Sequence, residues 1–247
     1  MKRVLIVKTS SMGDVIHTLP AISDACAVFP DLRFDWLVEE AFAEIPAWHP
    51  RVDFIIPVAI RRWRKNLFQL LGNDEWVRFR AGMAQHRYDC IIDAQGLIKS
   101  ALLTRFATGV VCGYDRHSVR EPLAALAYQQ HFAVAKNQHA VERIRELFAK
   151  ALRYNKPLTP PDYGIDRNQF GSTADQPYVL FLHGTTRDDK HWPDEYWKTL
   201  CKLLCESGVT VKIPWWSDVE HRRAQIIADV HQRAELLPRT HLAGMAN

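Results

Sequence analysis

A single carboxylate, Asp14, stands between a run of small polar residues and the first amphipathic stretch of the chain. Before it, Val4-Leu5-Ile6-Val7 reads as a buried strand and Thr9-Ser10-Ser11-Met12-Gly13 as a tight turn. After it, Leu19, Ile22, Cys26 and Phe29 fall on one apolar face of a helix. Asp14 therefore lies at the carboxyl end of a first strand, where open α/β sheets bind ligands, and can accept the proton of a bound hydroxyl. A plain helix cap is its alternative role. Thr18 followed by Pro20 offers a second place for the helix to begin.

Two further segments suit anions. Gly184-Thr185-Thr186-Arg187-Asp188-Asp189-Lys190-His191-Trp192-Pro193 joins a strand to a helix. Its backbone N–H groups, the Thr185 and Thr186 hydroxyls and Lys190 form an anion cradle; the other reading is a solvated charged loop. Arg61-Arg62-Trp63-Arg64-Lys65 gathers four cations around one tryptophan just past a third strand. That patch would hold a ligand carrying phosphates or carboxylates, unless it is an ordinary wet face. His17, His139, His183 and Asp93 are weaker candidates that read as capping, packing or turn residues, and Trp192 would wall the anion loop.

The elements that must carry these groups alternate. Strands are expected at residues 34–38, 52–56, 90–92 and 110–112, with helices near 75–86 and 98–107 and a long amphipathic helix from His139 to Leu152. Residues 156–176 have linker composition, with Pro157, Pro160 and Pro161 close together. The pattern then restarts with a buried strand at Tyr178–Leu182, a helix from Pro193 to Glu206 and a strand at Val209–Ile213. The expectation is an α/β protein of two Rossmann-like domains facing each other across a cleft. Residues 1–155 form the first domain, and 177–247 form an incomplete second one.

Composition narrows the class. An apolar share of 47% and a charged share of 24% are those of a soluble globular protein. No apolar run nears the roughly 20 residues that cross a bilayer, and the amino terminus lacks signal-peptide character, so a cytoplasmic location is expected. A net charge of +4 is too mild for general nucleic-acid binding. The cysteines at 26, 90, 112, 201 and 205 form no C-x-x-C pair and read as buried free thiols. The absence of G-x-G-x-x-G after either opening strand weakens a nicotinamide-dependent oxidoreductase reading.

Several segments together carry a family resemblance: TSSMGDVIHTLPA, VEEAFAEIPAWHP, IPVAIRRWRK, IDAQGLIKSAL, REPLA, QHAVERIRELFAK and FLHGTTRDDKHWP. They resemble the type I lipopolysaccharide heptosyltransferases of glycosyltransferase family 9, which have the two-domain GT-B fold. The resemblance implies an inverting transfer of L-glycero-D-manno-heptose from ADP-heptose to a Kdo residue of Kdo2-lipid A. It implies Asp14 as catalytic base, and Thr185, Thr186 and Lys190 at the donor phosphates or the acceptor's acidic sugar. Arg61, Arg62, Trp63, Arg64, Lys65 and Arg120 are implied at the anionic glycolipid, with peripheral contact to the inner membrane. No D-x-D triplet occurs, so no metal or other cofactor is expected, and cations with oriented dipoles would stabilise the leaving diphosphate.

The sequence departs from the family in two places. The family's Asp-Thr-Gly-Leu-Ser-His donor segment is not present before Asn247, and Trp216 stands where relatives tend to have a small residue. A shortened, catalytically inactive acceptor-binding remnant is therefore the alternative expectation. Whether the reading frame continues past Asn247 separates the two.

Overall fold

Residues 3–63, 74–170, 177–185 and 188–239 are described by the computed structural model, apart from the side chains of Arg61 and Arg167. The backbone separates into two units, Met1–Asp166 and Arg167–Asn247.

In the first unit, six strands run in the order β3-β2-β1-β4-β5-β6. They are β1 Arg3–Val7, β2 Arg33–Glu39, β3 Val52–Val58, β4 Cys90–Asp93, β5 Val111–Tyr114 and β6 Gln130–Phe132. Every neighbouring pair is parallel. Val4, Leu5, Ile6 and Val7 are fully buried, as a central strand covered on both faces requires. β6 escaped the sequence reading because Gln130-His131-Phe132 has no apolar period and joins the sheet through its backbone.

Two short helices replace the single one expected after Asp14. Met12–Ile16 forms α1, and Leu19–Val28 forms α2. Pro20 has no N–H to continue the first helix, and the Thr18 hydroxyl donates to Asp14 O at 2.9 Å in the break. The next helices are α3 Glu44–Ala47, α4 Ile60–Trp63, α5 Asp74–Ala84, α6 Ile98–Leu103 and α7 Ala140–Leu152. The helix expected at 98–107 ends early and finishes as a 3₁₀ turn, Thr104–Phe106.

The first unit reaches past the amphipathic helix α7 because Arg145 ties the following segment to it. Arg145 is almost wholly buried and grips Asp24 on α2 through Nε at 2.7 Å and Nη2 at 3.2 Å. Nη2 also donates to the carbonyls of Pro157 and Thr159. The first half of the expected linker therefore belongs to this unit.

The second unit holds β7 Tyr178–Leu180, β8 Thr210–Ile213 and β9 Ala234–Leu236 in one parallel sheet, with helices α8 Asp194–Glu206 and α9 Asp218–Ala228. Its core gathers Phe181, Cys201, Cys205, Val211, Ile213 and Ile227. β7 is shorter and less buried than the apolar run predicts. It is the sheet's edge strand, and Leu182 beyond it is 65% exposed. All five cysteines are free; Cys26 is half-buried and the others are buried.

Candidate active site

In the first unit the strand order reverses between β1 and β4, and the crevice outside their carboxyl ends is where such a sheet binds ligands. Asp14 stands there, third in α1 and half-buried. Its Oδ2 accepts from the Ser11 backbone N–H and from the Ser11 hydroxyl, both at 3.0 Å. Lys8 Nζ lies 4.0 Å from Oδ1. Burial pushes the Asp14 pKa up, but the Lys8 ammonium and the Ser11 donors outweigh it and hold the group below the usual carboxylate value. The group is therefore an ionised proton acceptor at neutral pH.

Lys8 is itself buried and donates to Ala94 O at 3.1 Å. Burial lowers its pKa from the usual ammonium value, against the pull of Asp14 and Asp93. Across the crevice, Asp93 ends β4 fully buried. Its oxygens accept from Gln95 N at 2.9 Å, Gly96 N at 3.1 Å, Ser100 Oγ at 2.9 Å and Tyr128 Oη at 2.8 Å. Asp93 is thus a satisfied turn residue, with its pKa raised by burial despite those four donors.

Asp14 borders two adjoining depressions. One, of about 400 Å³, is lined by Lys8, Tyr114, Arg120, Lys136 and Arg143 among others. Arg143 on α7 donates to Ser118 O at 2.8 Å and stacks over the Tyr114 ring, 5.1 Å from its centroid. The other, of about 780 Å³, shares Asp14, Gln95 and Arg120 and adds Lys99 and Glu121. Arg120 thus serves both walls, and the first depression presents one carboxylate to four cations.

The basic run behaves differently. Arg62 reaches Glu40 at 2.8 Å and Glu75 at 2.6 Å. Trp63, expected at the ligand, is buried instead, with its ring edge-on to Trp76 and Phe79 at centroid distances of 5.8 and 5.5 Å. Phe106 packs in turn on Trp76 and Phe79, and an aromatic set into such a cluster gains more from packing than from solvent. Arg64, Lys65 and the Arg61 side chain lie outside the described residues.

In the second unit, Thr185 is half-buried and Lys190 exposed, at opposite ends of the expected cradle; Thr186 lies outside the described residues. His191 Nε2 donates to Thr185 O at 3.0 Å, which leaves Nδ1 to accept from Arg223 on α9. Arg223 also donates to Trp192 O and pairs with Asp194 at 2.6 Å. Gly184 lies close under Glu220, whose Oε1 would be 2.4 Å from a Cβ at that position. Trp216 is exposed beside Ser217, the cap of α9.

The sequence profile of glycosyltransferase family 9 (heptosyltransferase) matches residues 76–247. Lipopolysaccharide heptosyltransferase 1 of Pseudomonas aeruginosa is 56% identical over 246 residues, which cover 99% of this chain and 69% of that protein. The chain belongs to glycosyltransferase family 9. Escherichia coli heptosyltransferase WaaC with ADP superposes at a TM-score of 0.94 and 53% identity, over 98% of this chain and 77% of that one. WaaC with ADP-2-deoxy-2-fluoro heptose gives 0.90 at 51% identity, over 98% and 78%.

For a family 9 glycosyltransferase, the structure adds Lys8, Gln95, Lys136 and Arg143 beside Asp14, and Arg223 behind the second loop. Gln95 and Arg143 fall inside segments that carry the resemblance, IDAQGLIKSAL and QHAVERIRELFAK. Their types gave no separate signal: a glutamine after a strand reads as a turn, and an arginine on an amphipathic helix as a solvent face.

Proposed function

We infer that this glycosyltransferase moves L-glycero-D-manno-heptose from ADP-heptose to a Kdo residue of Kdo2-lipid A, inverting the anomeric centre. The observation that carries this reading is an ionised Asp14 at the strand-order reversal, opening onto a pocket of Lys8, Arg120, Lys136 and Arg143. A sugar hydroxyl does not ionise near neutral pH. Asp14 takes its proton as the oxygen attacks the anomeric carbon, the bond from that carbon to the diphosphate breaks, and ADP departs. A base so placed is worth about 10²–10⁴ in rate.

The pocket's cations suit the carboxylates of an acidic sugar, which are met best by fixed guanidinium and ammonium groups. The diphosphate is assigned to the second unit's loop, where Thr185, Thr186, Lys190 and backbone dipoles would stabilise the departing charge without a metal. Among the described residues, no helix is long and apolar enough to cross a membrane. A lipid-bearing acceptor would bring the protein to the cytoplasmic face of the inner membrane as a peripheral visitor. Arg61, Arg64 and Lys65 are assigned to that ligand on the resemblance.

The test is a reconstituted reaction of the purified chain with ADP-heptose and Kdo2-lipid A. The expected result is a product heavier by one heptose, equimolar ADP, and inverted anomeric configuration by NMR. Retained configuration would contradict the single displacement. Acceptor binding without ADP release would contradict the transfer itself.

A further inference from the structure

The loop that carries Asp14 leaves the sheet where β1 and β4 part. Val7 is paired with Asp93, and Ala94 N still reaches Val7 O at 3.1 Å. On the other side the ladder to β2 continues one step further: Lys8 N donates to Leu37 O and Glu39 N to Thr9 O. The N–H groups of Thr9 and Ser10 therefore have no strand partner, and Thr9 is fully buried. An unmatched buried N–H is costly.

Gln95 supplies the partner. Its Oε1 accepts from Thr9 N at 3.1 Å and from Ser10 N at 3.2 Å, acting as one more rung between the two strands. Two backbone donors also fix the amide's orientation, because only its oxygen can accept. The glutamine is held in turn by Asp93, which binds the backbone N–H groups of Gln95 and Gly96. Gly96 has φ +68°, and a Cβ there would come within 3.1 Å of Val119, so this turn favours glycine. From Ser10 the chain runs directly to Ser11, whose N–H and hydroxyl hold the Asp14 carboxylate. Gln95 borders both depressions beside Asp14, and among the described residues its amide N–H₂ has no partner.

We propose that Gln95 is a positioning residue for the transfer: its amide oxygen pins the Thr9–Ser10 backbone that aims Asp14, while its amide nitrogen offers two donors to an oxygen of the bound acidic acceptor. Acceptor binding and base placement are thereby coupled through one side chain. This rests on the assignment of Asp14 as the base.

The experiment compares Gln95→Ala, Gln95→Glu and Asp14→Asn in the full chain, with kcat and acceptor KM measured across pH and folding checked by circular dichroism. In Gln95→Ala, kcat falls about tenfold to a hundredfold, the effect of a misplaced catalytic group. Glutamate keeps the accepting oxygen but loses the donors and adds a negative charge. Gln95→Glu therefore recovers kcat to within about threefold at neutral pH, keeps a raised acceptor KM, and moves the acidic limb to higher pH because the added charge raises the Asp14 pKa. Equal impairment of Ala and Glu variants, or wild-type kcat in Gln95→Ala while Asp14→Asn is inactive, would overturn the proposal and leave the base assignment standing. An active Asp14→Asn enzyme would overturn both.

Discussion

Two clusters of cations in the first unit, one contiguous in the sequence and one scattered, differ in the fold. At the strand-order reversal, Lys8, Arg120, Lys136 and Arg143 line one pocket with Asp14. Past β3, Arg62 is ion-paired to Glu40 and Glu75, and Trp63 is walled in by Trp76 and Phe79. The first cluster, scattered over more than 130 residues of sequence from Lys8 to Arg143, faces open space. The second, contiguous in sequence, has its described charge matched and its described aromatic ring buried. Contiguity of charge says little about a ligand. The position of the countercharges decides.

Three substitutions break or sharpen that contrast. Trp63→Ala should cost about 3–5 kcal/mol of stability, the usual loss for truncating a buried tryptophan. Chemical denaturation reads it, and the acceptor KM of the folded fraction should not change. Arg143→Met should raise acceptor KM about tenfold to a hundredfold with little change in stability, and the wild-type advantage should shrink as salt rises. A salt-independent effect would speak against a charge-based pocket. Arg62→Ala should move acceptor KM by less than about threefold, as befits an exposed side chain already paired to carboxylates. A rise equal to that of Arg143→Met would show that the pair with Glu40 and Glu75 opens to the ligand, and would erase the contrast.

The legible parts of the molecule were those set by local pattern. The Val4–Val7 run, the small-residue turn and Asp14 marked a strand end with a carboxylate, and the structure places Asp14 at such an end. The alternation of strands and helices marked the α/β class. What pairing decides was not legible. Nothing in the local sequence says that β1 lies between β2 and β4, which is what turns the Asp14 loop into one wall of a crevice. Arg62 is neutralised by carboxylates 22 and 13 residues away, and His191 is fixed by an arginine 32 residues on. Gln95 acts across 86 residues of sequence on the backbone of Thr9. Short polar β6 is placed by its pairing with β5, which no local apolar period announces.

The most direct test of the account is the pH profile of kcat/KM for heptosyl transfer in the wild-type chain and in Asp14→Asn, with binding of the ADP-heptose donor measured by calorimetry in both. In the proposed mechanism ionised Asp14 is the active form, and Lys8 with Ser11 holds its pKa below the ordinary value of 3.8. The wild-type enzyme should therefore keep its base competent down through mildly acidic pH and lose activity only below that value. Asp14→Asn should bind donor normally and turn over about 10²–10⁴-fold more slowly at every pH above it. Turnover within tenfold of wild type in a folded, donor-binding Asp14→Asn chain would contradict the account.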